Sequence, residues 1–172
     1  MKNINQLVFF RFLFIILSQI LIFNNILIYG ISPNIYLIFL IVFPLTYNKS
    51  LFYIYIFIAG LILDFFSNTY GIITFSLLLS AWFRPYFLKF SFGHFDASKV
   101  RKTADYIKET SLYQKLTFLI LMYFTHQFLL FSVEAFSFEK LDWIIKKTLI
   151  STIISIMLCY IFILIFYTKN AR

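Results

Sequence analysis

The chain has 172 residues, 62% of them hydrophobic and 13% charged, with a formal net charge of +8 and a mean hydropathy of +0.88. A soluble domain is usually about half apolar and about a quarter charged, so this composition excludes an ordinary soluble enzyme and calls for lipid as the surrounding solvent. The single cysteine, Cys159, excludes an internal disulfide and a thiolate metal cage.

Apolar runs divide the chain into six predicted spans of an all-α integral membrane protein. Length allows little else, because each span takes about 20 residues. The first is 7–29, too long and too poor in small residues to read as a cleavable leader. The second and third, 35–47 and 51–66, are separated only by Asn48-Lys49-Ser50. We read that break as the turn of a helical hairpin; a single bent helix there would lower the count to five. The fourth span is 70–88. A polar loop, 91–111, follows, too short for a core of its own. Within it Ser98 is a candidate N-cap, and Val100, Ala104 and Ile107 share one helix face flanked by Lys99, Arg101 and Lys108. That pattern suits either a segment lying on inner headgroups or an extension of the fifth span. His94, just upstream, reads as a solvated loop residue. The fifth and sixth spans are 116–133 and 144–167.

The distribution of basic residues orients these spans. With the N-terminus inside, only Lys140, Lys146 and Lys147 of the 15 Lys and Arg fall outside, the asymmetry that the positive-inside rule describes. Both termini and the 91–111 loop are therefore expected to be cytoplasmic, in a bacterial inner membrane. The basic excess is then topological charge facing anionic lipid. No base-reading or stacking module accompanies it, so nucleic acid is not an expected partner. The 25 Phe and 12 Tyr, beside only 4 Gly, read as AT-rich codon usage filling lipid-facing positions.

Ionisable and amide groups inside spans carry the functional question. They are Asp64 in the third span, His126 with Gln127 in the fifth, Glu134 near the outer end of the fifth, and Gln19, Asn24 and Asn25 in the outer half of the first. Arg11 and Arg84 lie where snorkelling explains them. At ~1.5 Å rise per residue, Asp64 lies about 22 Å above Lys49 and His126 about 16 Å above Lys115. His126 and Glu134 share a face at i, i+8. These depths allow an outer-leaflet cluster of Asp64, His126, Glu134 and first-span amides, with His126 the expected internal partner of Asp64. Helix-joining hydrogen bonds are the simplest role for such groups. An Asp64 facing outer water beside Ser67-Asn68-Thr69 is the other bland reading. No metal helix, phosphate loop, nucleophile elbow or multi-Asp set occurs, so neither catalysis nor a cofactor or metal is expected.

The run Ala59-Gly60-Leu61-Ile62-Leu63-Asp64-Phe65-Phe66, followed by Tyr70-Gly71, resembles the rod shape-determining protein MreD family. Phe83-Arg84-Pro85 and the stretch from His126 to Glu134-Ala135-Phe136 fit the same pattern. The resemblance marks Gly60, Asp64, Gly71, Arg84, His126 and Glu134 as a partner-binding or structural polar set. It implies a non-enzymatic scaffold of the cell-wall elongation complex that binds the membrane protein MreC. Through MreC it would reach the MreB filament, RodA and a penicillin-binding transpeptidase. It also implies the fold of the substrate-binding subunits of energy-coupling-factor transporters, and so a rival function: a vitamin-type small-molecule-binding subunit. Such subunits dock through an Ala-x-x-x-Ala face, and the first span here has no Ala.

Overall fold

The computed structural model describes residues 2–28, 30–45, 47–93 and 110–167. The predicted loop helix around Ser98 to Ile107, and His94, lie outside them. Among the described residues every regular element is helical. The elements are α1 (Lys2–Leu21), a 3₁₀ turn (Phe23–Asn25), α2 (Leu37–Val42), α3 (Lys49–Ser67), α4 (Ile72–Phe92), α5 (Leu112–Ala135), a second 3₁₀ turn (Phe138–Lys140) and α6 (Leu141–Tyr167). Four stretches are long and apolar enough to cross a membrane: Asn5–Asn25, Lys49–Ser67, Leu112–Ala135 and Leu141–Ile161. This agrees with a multi-pass, all-helical membrane protein.

Burial is inverted relative to a soluble protein. Phe10, Leu17, Phe65, Phe90, Ile153 and Met157 are exposed, whereas Gln19, Asp64, Arg84, His126, Gln127 and Ser155 are buried. Water would reject such an apolar surface, and lipid would accept it. The fifth long helix, α4, is long enough to span but too polar. It packs against both α3 and α5, and Ser76, Ser80, Arg84 and Ser91 are buried within the bundle.

The second predicted span differs most from expectation. Of 35–47, only Leu37–Val42 is helical, a rise of ~9 Å. Pro44 gives the reason. A residue before proline is driven out of the α region, and Phe43 accordingly takes φ −60°, ψ 133°. A fresh helix begins only after Asn48, whose side chain accepts from Ser50 N at 2.9 Å. The segment is thus neither a full spanning helix nor one bent helix with α3. Residues Pro33 to Phe43 are all buried, and α2 contacts both α1 and α5. Irregular backbone is tolerated at membrane depth only when buried in protein in this way. Aromatic rings of α1 and α3 close around it, Phe12 against Phe39 at 5.4 Å and Phe52 against Phe43 at 4.6 Å.

The first span also ends early. Helix α1 stops at Leu21, whose carbonyl accepts from Asn25 Nδ2 at 3.0 Å. A tight hairpin follows, bridged between Ile28 and Ile31, with Gly30 at φ +76°. Asn24, Ser67, Asn68 and Glu134 meet around one cavity at one end of the bundle. Pro44, Lys49, Arg84 and Leu88 meet around another at the opposite end.

Candidate functional site

At the α3–α4 joint, Gly60 makes the approach possible. A Cβ built on it would stand 2.6 Å from Thr74 Cα, so no larger residue fits. One turn on, Asp64 reaches the start of α4. Gly71, at φ +95°, is the N-cap of α4 and has no side chain to cap with. Asp64 supplies the missing acceptor. Its Oδ1 accepts from Ile73 N at 3.0 Å and from the Thr69 hydroxyl at 2.5 Å. Its Oδ2 accepts from Thr74 N at 2.9 Å and the Thr74 hydroxyl at 2.5 Å. The carboxylate thus caps the positive end of α4. The resemblance motif Gly60, Asp64 and Gly71 is brought together as one joint.

The expected Asp64–His126 pair does not form. His126 lies on α5 against Tyr36 and Ser80. The Ser80 hydroxyl donates to Ser76 O at 2.6 Å, so toward His126 Nδ1, 3.3 Å away, it acts as acceptor. Nδ1 therefore carries the proton, and in the uncharged ring Nε2 is left to accept from the Tyr36 phenol at 2.7 Å. The two acidic and imidazole groups are each satisfied by other partners, because the unwound segment before α2 inserts Tyr36 beside α5.

That unwound segment is held by amides. Gln19 Oε1 accepts from Ile35 N at 2.8 Å and Tyr36 N at 3.3 Å. Its Nε2 donates to Pro33 O at 3.1 Å and Asn24 Oδ1 at 2.9 Å. Asn34 Nδ2 donates to Gln127 Oε1 at 2.9 Å, and Asn34 N donates to Ser155 Oγ at 3.2 Å. At the other end of α2, the Arg84 guanidinium donates to Phe43 O at 2.6 Å and lies over the Phe52 ring at 5.3 Å. A short helix with no neighbours in sequence to satisfy its ends thus receives acceptors at its start and a cation at its finish. Arg84 is 5% exposed, so it is a buried cap rather than the snorkelling side chain expected.

Glu134 stands apart from Asp64 and His126. It pairs with Lys147 at 3.4 Å, and the Lys147 ammonium lies 4.5 Å from the Phe131 ring and 4.4 Å from that of Trp143. Beside this pair opens a cavity of about 650 Å³, which Asn34 and Tyr36 also line. Sequence reading did not single out Asn34, Tyr36, Ser80, Thr74 or Lys147. The available signal was Pro33-Asn34 and Pro44 within one apolar run, which brackets an interrupted helix.

Comparison of the chain with models of known protein families, with characterised proteins and with solved structures finds no match.

Proposed function

We propose that the chain is a non-enzymatic scaffold subunit of the bacterial cell-wall elongation complex, of the MreD kind. In this reading it sits in the inner membrane with six crossings and both termini cytoplasmic, the buried α2 segment serving as the second crossing. It binds an MreC-like membrane protein, and through it associates with the MreB filament, RodA and a penicillin-binding transpeptidase. Its fold follows that of energy-coupling-factor substrate-binding subunits.

The observation that supports the reading is the occupation of the motif residues. Both oxygens of Asp64 accept two hydrogen bonds each from α4 and the turn before it. A carboxylate engaged in this way holds two helices in register. It does not have the free lone pair that a general base presents to a substrate. Such rigidity suits a surface that receives another protein. The test is crosslinking followed by pull-down from rod-shaped cells, with depletion in parallel. Capture of an MreC-like protein and rounding of depleted cells are expected. Unaltered rods after verified depletion, with no paralogue present, would count against the role.

A second reading, a vitamin-type small-molecule-binding subunit of a transporter, is favoured by the cavity of about 650 Å³. Small-molecule sites typically enclose roughly 300–1,000 Å³. The missing Ala-x-x-x-Ala face in α1 argues against docking on such a transporter. A copurified small molecule with substrate uptake would decide for it.

A further inference from the structure

We infer that the cavity between the first turns of α3 and the second half of α4, which Lys49 and Arg84 line, holds the headgroup phosphate of one anionic phospholipid. The acyl chains of that lipid lie along the outer faces of the two helices. The inference goes beyond the scaffold role and stands or falls independently of it.

The charge of this cavity is one-sided. Beside Lys49 and Arg84, its other polar side chains are the phenols of Tyr47 and Tyr53, which donate or accept and carry no charge at neutral pH. The rest of the described lining, Phe43 to Leu45, Phe52, Ala81, Pro85 and Leu88, is apolar, and no carboxylate is among it. Glu134, and Asp64 through Thr69, belong to the cavity at the opposite end of the bundle. Arg84 is engaged with Phe43 O at the end of α2, but a helix end offers only about half an elementary negative charge, so that contact does not cancel the guanidinium. Lys49 adds to a field that is already positive. It is the first residue of α3, and the first turn of that helix has no acidic residue. A helix N-terminus favours an anion and disfavours a cation, so an anion beside Lys49 is stabilised by the lysine and by the helix end together.

Size and surroundings select a lipid as the source of that anion. The cavity measures about 190 Å³, less than the roughly 300–1,000 Å³ that encloses a whole small molecule. It suits a phosphate group whose parent molecule stays outside. The flanking surface outside is apolar, with Ile54 of α3 and Tyr86 and Phe90 of α4 exposed, as acyl chains require. Headgroup charge then decides the class of lipid. A zwitterionic headgroup would bring its own cation beside Lys49 and Arg84, whereas a net-negative one would not. Basic pockets between spanning helices take anionic headgroups for this reason.

The test is native mass spectrometry of the full-length protein in detergent, titrated with phosphatidylglycerol or with phosphatidylcholine of identical acyl chains, and with inorganic phosphate as competitor. One phosphatidylglycerol is expected to bind about tenfold more tightly than phosphatidylcholine. Lys49→Gln should reduce that preference about fivefold, the share of one basic residue. Leu45→Trp, which puts an indole into the cavity, should abolish it. Lys89→Gln removes the same charge from an exposed position outside the lining and should leave the preference unchanged. Arg84 is left in place because it caps α2. Thermal unfolding checks that each variant is folded, and Lys49→Gln, at an exposed position, decides the case if Leu45→Trp is not. Equal binding of the two lipids, or no saturable binding of either, would overturn the inference. Equal losses in Lys49→Gln and Lys89→Gln would also overturn it, in favour of diffuse attraction to the whole basic end. Displacement of phosphatidylglycerol by inorganic phosphate would assign the site to free phosphate and not to a lipid.

Discussion

The backbone of Thr74 lies so close to Gly60 that a methyl group on Gly60 would stand 2.6 Å from Thr74 Cα. That approach carries the start of α4 to within hydrogen-bonding distance of Asp64, whose Oδ2 takes the Thr74 amide at 2.9 Å. Close packing and charge capping at this joint are one device.

The first prediction follows from the packing half. Gly60→Ala must push α4 away, because the obstructing atom is backbone and cannot rotate aside. A loss of about 1–3 kcal/mol is expected for such overpacking, read as a lowered melting temperature and reduced folded yield from membranes. Unchanged stability would show that the joint is looser than described.

The second concerns the charge half. Asp64→Asn replaces one acceptor oxygen with an NH₂ group that faces donors, and should lose ~1–3 kcal/mol. Asp64→Leu leaves the Ile73 and Thr74 amides and two hydroxyls without an acceptor, and should lose more. Membrane abundance and thermal stability are therefore expected to fall in the order wild type, Asn, Leu. Wild-type behaviour of both variants would mean that the carboxylate merely faces water.

Gln19 offers a third test, because it holds the buried, unwound backbone that leads into α2. Gln19→Leu strands the amides of Ile35 and Tyr36 with no acceptor, at ~1–3 kcal/mol for each buried group left unpaired. Hydrogen exchange at Ile35 and Tyr36 should accelerate, whereas Gln6→Leu, at an exposed position of the same helix, should leave it unchanged. Equal exchange in both variants would remove Gln19 from the role.

The fourth prediction is topological. Reporters placed after Arg172 and within 91–111 should both read cytoplasmic, from the asymmetry of basic residues. A reporter at Gly30, in the hairpin at the opposite end, should read periplasmic. A periplasmic signal from either of the first two sites would sink the six-crossing topology.

Much of the helical layout was legible from local pattern. The predicted spans 51–66, 70–88, 116–133 and 144–167 lie within or beside Lys49–Ser67, Ile72–Phe92, Leu112–Ala135 and Leu141–Tyr167. The predicted second span, 35–47, is cut to Leu37–Val42 because Pro44 breaks the apolar run. The Asp64–His126 partnership failed for a different reason. Spacing along a helix carries neither the rotation about each axis nor the insertion of Tyr36, which are tertiary facts.

Composition and hydropathy by themselves determined that this chain is all-helical and carries several apolar runs suited to lipid. Those properties are sums over many residues, and each residue contributes whatever its neighbours do. The tertiary structure alone decided that Asp64 caps α4, that Arg84 caps α2, and that Gln19 and Asn34 hold the unwound backbone between. Each of those is a single hydrogen-bonded geometry. It depends on which faces of two helices meet, and an apolar surface in lipid leaves that choice to shape and to a few buried polar groups.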